Sequence, residues 1–593
     1  MTTATSSKPT APTPPPNAVD PGPTRSSHRL LRRPSSRILL GLVVGVVVLY
    51  LVVMPVVFML GSTFQTSETG LPLTSESTWT FSNITTVFSD SRTWELLVKT
   101  LVFSLSAVAV GGAIAIALAW LTERTDLPLP RVIFVLVIAT AGLPGLIQAL
   151  AWARILNPSA GPVNDLLGLV GLNFDPYTLH GMILVQAIEV VPIAFLLIAA
   201  SLRQMNPALE EAAAASGAKG FTTFRMVSLP LFAPAALGAF IYSFVNTVDS
   251  VAVPLILGLP GNERVLSIQV WLSAQPVRGL PQYGLASTYA LILVALSLLP
   301  LFFYKRIMST ASRNATVTGK GFRSRRLPLG QWKWPAFVIV FGFVLLQAVL
   351  PVLMLFWSSI QPYYDGFGSE ALGRTTWDAW TSQFSSGKIA ELVATTVKIG
   401  ALSALATIVV TMVASWVAVR GRSRFAKSLD LLMFFPQLLP GIVIALAVLM
   451  LYLVLPLGIY GTMWLLVAGF VVKSLPLASR VTTPGVAQIS VTLEEAAAVS
   501  GAKLRHVWLH VLAPLLRGTM TTGFLLVFMG ALQNLSLPLL LGGGSGDRML
   551  AEDILEVYQN AGDTQRASVL CLVMVALTSV CAIVMRVSDR ART

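Results

Sequence analysis

Twelve apolar runs, each long enough to cross a bilayer, decide what this chain can become. They begin near Ile38, Leu96, Arg131, His180, Leu231 and Ala286, and again near Trp334, Leu392, Leu431, Met463, Leu516 and Ala567. A span needs about 20 predominantly apolar residues, because the hydrocarbon core is about 30 Å thick. Inside that core the backbone must satisfy its own hydrogen bonds, so runs of this length are helices. Composition agrees: 54% of the 593 residues are hydrophobic and 11% are charged, against about 25% charged in soluble domains. The expected fold class is all-α, a polytopic membrane protein of twelve transmembrane helices in two sets of six.

Charge between the runs alternates. Stretches 123–131, 203–225, 305–333, 420–427 and 586–592 are basic, and 305–333 carries eight Lys and Arg with no acid. The alternate connections are acidic or balanced, with Glu68, Glu76 and Asp90, then Asp365, Glu370 and Asp378, then Asp547, Glu552, Asp553 and Glu556. The positive-inside rule puts the basic set, and both termini, in the cytoplasm. The net charge of +14 is thus a topology signal and not a nucleic-acid footprint; membrane lipid is the expected surrounding. Residues 1–36, rich in Pro, Ser and Thr and ending in a basic cluster, read as a disordered cytoplasmic tail without a cleaved leader. Cys571 and Cys581 lie in the last apolar run and form neither a redox nor a metal motif. With four His and no His/Cys/carboxylate cluster, no metal site and no catalytic residue are expected, and the chain reads as a non-enzyme.

The chain is also duplicated. Leu209-Glu-Glu-Ala-Ala-Ala-Ala-Ser-Gly-Ala-Lys219 returns as Leu493-Glu-Glu-Ala-Ala-Ala-Val-Ser-Gly-Ala-Lys503, so Glu211 recurs 284 residues later as Glu495. Pro230 and Pro514 each follow thirteen residues after Gly217 and Gly501. At the same displacement Pro192 matches Pro476 and Pro254 matches Pro538. Upstream the displacement is 296: Thr100 matches Thr396, Trp120 matches Trp416, Arg124 matches Arg420, and Pro144-Gly145 matches Pro440-Gly441. A twelve-residue insertion or deletion around 157–175 accounts for the change. Each half starts on the same side, so the repeats are parallel and related by an axis along the membrane normal. The expected division is a first half over 37–304, a cytoplasmic linker over 305–333 and a second half over 334–593. Each duplicated stretch, an acidic/alanine run followed by Gly and then Pro, reads as helix–turn–helix in a cytoplasmic loop.

These residues resemble a known family. Glu211-Ala212-Ala213, then Gly217 and Leu229-Pro230, repeated as Glu495-Ala496-Ala497, Gly501 and Ala513-Pro514, look like the signature loop of the permease subunits of binding-protein-dependent ABC importers. The two-half chain is similar to the iron(III)-type permeases of that family. The resemblance implies a type I importer permease fold, an inner-membrane location, and ATPase-coupling residues Glu211, Ala212, Ala213, Gly217, Glu495, Ala496, Ala497 and Gly501. It also implies partners: two ATPase subunits, which bind ATP and Mg, and an extracytoplasmic solute-binding protein. Iron(III) is the expected solute; thiamine, a phosphonate or a polyamine is the alternative within the same machinery. A gradient-driven secondary transporter is the alternative from another class. Small Ala faces allow close docking, and the motif Glu can anchor the loop by charge-assisted hydrogen bonds. Ala513, His506 and His510 depart from the first copy and imply unequal docking surfaces.

No ATPase motif competes with this reading. Thr318-Gly-Lys-Gly321 has Asn314 where a phosphate loop needs Gly, and Gly321 where it needs Ser or Thr. Gly542-Gly-Gly-Ser-Gly546 reads as a turn, and Trp79, Trp94 and Trp377 as interfacial anchors. Polar groups within spans are costly, which makes them candidates for the pathway. Glu189 and Lys473 occupy matched positions with opposite charges and are expected to pair or line the pathway near the interface, or else each to contact water or its own half's backbone. Asn246, Asp249, Gln533 and Asn534 form a second set, read as pathway groups or as helix–helix hydrogen bonds.

Overall fold

The computed structural model describes residues 36–590 apart from 67–70, 206–207, 219, 277–279, 312–325, 365, 368, 422 and 543–546. Residues 1–35 of the expected tail, 312–325 of the linker and most of the Gly542–Gly546 turn lie outside the described residues.

The first half holds α1 (Ser36–Thr63), α2 (Ser91–Arg124), α3 (Pro130–Ala141), α4 (Gly145–Ile155), α5 (Leu179–Gln204), α6 (Ala208–Ala215), α7 (Leu229–Val248), α8 (Leu266–Ala274) and α9 (Tyr283–Ala311). The second repeats that order as α10 (Lys333–Ser359), α11 (Lys388–Arg420), α12 (Arg424–Phe434), α13 (Gly441–Val454), α14 (Met463–Gln488), α15 (Val491–Val499), α16 (Ala513–Gln533), α17 (Leu550–Gln559) and α18 (Thr564–Arg590). Strand structure among the described residues is one antiparallel pair, Gln65–Thr66 with Thr78–Trp79.

Among the described residues ten helices are long and apolar enough to cross a membrane, and the third run of each half is broken. Between α3 and α4 the chain bends by 102°, and between the α12 segment and α13 by 110°. With each bent pair counted as one span the described residues hold twelve, and the runs beginning near Arg131 and Leu431 are the two that bend. Pro144 and Pro440 stand immediately before α4 and α13. Proline cannot donate to a preceding turn and pushes its predecessor out of the α region, so the helix stops and restarts there. The restarted limbs run through the centre of the molecule: every residue from Gly441 to Tyr452 is buried. A helix apolar on all sides has no wet face and needs neighbours all round.

The neighbours come from both halves. α1 packs on α11, α12 and α13 of the second half, while α10 packs on α3 and α4 of the first. Gln347 of α10 donates 2.7 Å to the Ile188 carbonyl of α5. Each half thus lends its first span to the other. The repeat extends to single hydrogen bonds. Leu266 N–H, at the start of α8, donates 2.9 Å to Thr100 Oγ1, and Leu550 N–H, at the start of α17, donates 2.8 Å to Thr396 Oγ1.

Within the first half, α2 and α5 make the most extensive contact, and Gly111 sets its closeness. A Cβ at Gly111 would lie 2.5 Å from the Ala187 carbonyl oxygen, whereas one at Gly112 meets nothing within 4 Å. Gly111→Ala is therefore expected to cost about 1–3 kcal/mol of overpacking. Gly112→Ala is expected to be neutral or stabilising by up to about 1 kcal/mol, because Ala is the better helix former. Thermal unfolding of the two variants in detergent checks the pair, and equal midpoints would contradict the packing.

Candidate functional site: two clamped loop helices and the contact between halves

The duplicated loops fold alike for local reasons. Ala-rich sequence makes α6 and α15 short, stable helices. Each is closed by a glycine in the left-handed region, Gly217 at φ 84° and Gly501 at φ 82°. Ala218 N–H donates 3.0 Å to the Ala213 carbonyl and Ala502 N–H donates 3.0 Å to that of Ala497, the six-residue closure that needs such a glycine. A Cβ at either position would meet nothing within 4 Å, so backbone conformation, not space, selects glycine. The chain then restarts and widens: Leu229 N–H donates to the Phe224 carbonyl and Ala513 N–H to that of Trp508, five residues back. Pro230 and Pro514 lack the N–H that would close the regular α-turn.

An ion pair fixes each loop helix to the bundle, buried on both sides in the first half and with the arginine half-buried in the second. Glu210 Oε2 lies 3.3 Å from Arg124 Nη1, with the side chains 4% and 3% exposed. Ser228 Oγ donates 2.6 Å to Glu210 Oε1. Arg124 Nη2 donates 2.5 Å to the Leu202 carbonyl and 3.3 Å to that of Met205, at the end of α5. In the second half Arg420 Nε lies 2.9 Å from Glu494 Oε1, and Trp416 Nε1 donates 3.2 Å to Glu494 Oε2. Arg420 Nη2 donates 2.7 Å to the Ile489 carbonyl and 3.4 Å to that of Val486. Ile489 and Val486 are the repeats of Met205 and Leu202. One guanidinium thus neutralises a loop carboxylate and also supplies the carbonyls that a helix C-terminus leaves without partners.

The anchoring carboxylate is not the one expected. Glu211 and Glu495 are exposed, and the neighbour one residue earlier carries the bond. Consecutive residues on a helix point about 100° apart, so only one of two adjacent glutamates can face Arg124 or Arg420. The exposed set comprises Glu211, Ala212, Gly217, Glu495, Ala496 and Gly501, with Ala213 and Ala497 half-buried beside them. Apolar side chains stand out around both helices: Leu209, Phe221 and Met226 at the first loop, and Leu493, Val499 and Leu509 at the second. His506 and His510, both exposed, stack with ring centroids 5.6 Å apart. The two loops therefore share a frame and differ in face.

The span polar groups meet where the two halves touch. Lys473 Nζ lies 3.3 Å from Asp249 Oδ2, an ion pair between halves. Asp249 Oδ1 also accepts, at 3.2 Å, from Ile442 N–H in the first turn of α13. Reciprocally, Gln533, the repeat of Asp249, donates 2.9 Å through Nε2 to the Gly142 carbonyl at the end of α3. Each half sends one side chain to the helix break of the other. Lys473 is thus paired with Asp249 and not with Glu189. Glu189 lies against Gly145 at the start of α4, where a Cβ would come within 2.5 Å of its Oε1, and accepts 3.3 Å from Gln186 Nε2. A carboxylate suits that positive helix end; a lysine at the matching place would oppose it, and Asp249 supplies the missing negative charge. Asn246 and Asn534 bond locally, to the Tyr242 carbonyl and from Leu537 N–H.

Removing one partner of a buried ion pair costs about 3–5 kcal/mol, since the other charge stays buried and unpaired. Glu210→Gln and Glu494→Gln are expected to lower thermal stability in detergent on that scale. Glu211→Gln and Glu495→Gln, at exposed positions, should stay within about 0.5 kcal/mol. Similar losses at all four positions would refute the clamp. Between the halves, a double-mutant cycle on Asp249→Asn and Lys473→Gln should give a coupling of about 1–3 kcal/mol, and additive single effects would dissolve the pair.

Comparison with known proteins places this geometry. The domain family described as binding-protein-dependent transport system inner membrane component matches residues 111–311 and 410–593. Among curated proteins, the ferric transport system permease protein FbpB of Actinobacillus pleuropneumoniae is 24% identical over 61% of this chain and 51% of its own length. The putative ferric transport system permease protein FbpB 1 of Haemophilus influenzae is 24% identical over 61% of this chain and 56% of its own. The probable ABC transporter permease protein y4fN of Sinorhizobium fredii is 26% identical over 54% and 57%. The chain spans about half the length of the curated relatives it matches. Two matched copies, one in each half and each including its clamped loop, settle membership: the chain belongs to the binding-protein-dependent transport system inner membrane components, the multi-pass permease subunits of ABC importers.

Proposed function

We propose that this chain forms the membrane pathway of an importer that carries iron(III) inward, driven by ATP hydrolysis on separate subunits. The observation that carries the reading is the pair of loop helices, each exposed on one face and clamped on the other to the ends of two spans. An exposed helix with a rigid root transmits a push; a loosely tethered one absorbs it. The likeness to two ferric permeases supports the solute. Two ATPase subunits, holding ATP and Mg, dock on Glu211, Ala212, Ala213 and Gly217 and on Glu495, Ala496, Ala497 and Gly501. A binding protein delivers the solute at the opposite end. Both termini lie in the cytoplasm, in keeping with the basic linker and tail. As the halves rock, Asp249–Lys473 and Gln533–Gly142 part and re-form, while Glu189, Asn246 and Asn534 flank the passage.

The test is reconstitution of the chain with its ATPase and binding protein in proteoliposomes. Uptake of radioactive iron(III) should require ATP hydrolysis and the binding protein. Uptake that runs on an ion gradient alone, or that follows thiamine or a phosphonate in preference to iron, would overturn the reading. Because the two docking faces differ, Glu211→Ala and Glu495→Ala are expected to reduce uptake unequally, by at least threefold relative to each other. Equal losses count against unequal docking.

A further inference from the structure

At the end of the molecule remote from the loop helices, Arg154 closes the last turn of α4. Among the described residues no carboxylate reaches it and its guanidinium makes no hydrogen bond. Its contacts are two ring faces of the second half: Tyr364, with the guanidinium carbon 5.4 Å from the centroid, and Tyr558, at 6.0 Å. The Tyr364 hydroxyl is committed elsewhere, donating 2.8 Å to the Ala160 carbonyl. Burial pushes the phenols of Tyr364 and Tyr177, beside it, up from their ordinary value, so neither is a counter-ion. Ring faces attract a cation but accept none of its five N–H donors.

The guanidinium borders an open cavity of about 530 Å³. Leu255, Leu259 and Pro260 of the first half form one wall, and Tyr558, Gln559 and Thr564 of the second form the other. That volume suits a small molecule, and Gln559 and Thr564 can hydrogen-bond one. The fold does not demand the charge. Arg154 repeats, 296 residues on, as Met450, which is fully buried in α13. A positive group is favoured at the C-terminal end of α4, but that effect supplies no acceptors.

We propose that Arg154, held between Tyr364 and Tyr558, receives a carboxylate-bearing small solute at the outer mouth of the pathway. The planar fork of a guanidinium matches a carboxylate through two parallel hydrogen bonds. One cation, with no second Lys or Arg lining the cavity, suits one planar carboxylate group of a solute, whose other carboxylates stay on the metal or in solvent, better than a phosphate that carries its two charges on a single tetrahedral group. The proposal rests on the importer reading and deepens it: iron(III) would arrive here with carboxylate ligands, not as a bare cation.

The probe is citrate, alone and with iron(III), titrated calorimetrically into the purified full-length chain. Binding should weaken at least tenfold in Arg154→Gln, and Arg154→Lys should retain part of it. The unfolding midpoints of both variants without ligand, equal to that of the unmodified chain, would show intact protein. Citrate binding unchanged by Arg154→Gln, or inorganic phosphate binding more tightly than citrate, overturns the proposal. Uptake separates it from the importer reading. If that reading fails, the unmodified chain shows no ATP-driven uptake although citrate binding still depends on Arg154. If the site fails, ATP-driven uptake proceeds and Arg154→Gln matches the unmodified chain.

Discussion

A buried arginine at the end of α2, repeated at the end of α11, is the interaction on which the working parts depend. An isolated buried charge is costly, and a buried pair returns that cost only when its remaining donors are used. Arg124 uses those of its two terminal nitrogens on Glu210 of the loop helix and on two carbonyls at the end of α5, while its Nε makes no hydrogen bond among the described residues. One side chain therefore ties three elements, and α6 cannot shift without α2 and α5. The start of the second half is stitched to the same corner. Leu327 N–H donates 2.8 Å to the Arg124 carbonyl, and Asp126 N–H donates 3.1 Å to the Leu327 carbonyl. Asp126 in turn accepts from Leu329 N–H and pairs with Lys333, which hold its carboxyl below the usual range. The first loop is thus tied directly to the first span of the second half.

The second constraint is the broken span. Stopping a helix inside a membrane leaves backbone groups that lipid cannot satisfy. Asp249 answers one such N–H at the start of α13, and Gln533 answers one such carbonyl at the end of α3. Both answers come from the opposite half. The halves are held together by each other's unfinished hydrogen bonds, and this is a contact that water could replace when they part. Apolar packing alone would give no such choice, because separation would expose it without compensation.

Much of this was legible in the sequence, because repetition amplifies weak signals. The Pro-Gly pairs, the Arg124–Arg420 match and the Thr100–Thr396 match each proved to mark a repeated bond or break. Periodicity and hydropathy could not show that the third run of each half bends, since both limbs are apolar and only the angle between them is new. Nor could they select Glu210 over Glu211: adjacent identical residues differ only in helix phase, which the bundle sets. The partner of Lys473 was hidden for a related reason. Matched positions in two halves are equivalent by symmetry, and equivalence says nothing of distance; the residue that reaches Lys473 is Asp249, just past the C-terminal end of α7.

The pattern of what repeats and what does not separates two kinds of demand. The arginine clamp, the threonine caps, the left-handed glycines and the Pro-Gly breaks all occur twice, because each satisfies backbone groups that both halves expose. The contents of the interior do not repeat. Small residues around Gly112 and Ser243 leave an apolar groove of about 660 Å³ in the first half. In the second, Ile408 and Val527 take those positions, and Ile408 lies within 2.6 Å of where a Cβ on Gly523 would sit. Likewise Glu189 is repeated as Lys473, Asp249 as Gln533 and Arg154 as Met450, matched positions of unlike charge. Backbone chemistry compels a symmetric frame, whereas nothing in that frame compels symmetric charge. The unlike pairs lie where the halves meet and beside the cavity at Arg154, so the asymmetry of this permease is one of side-chain charge on a shared backbone frame.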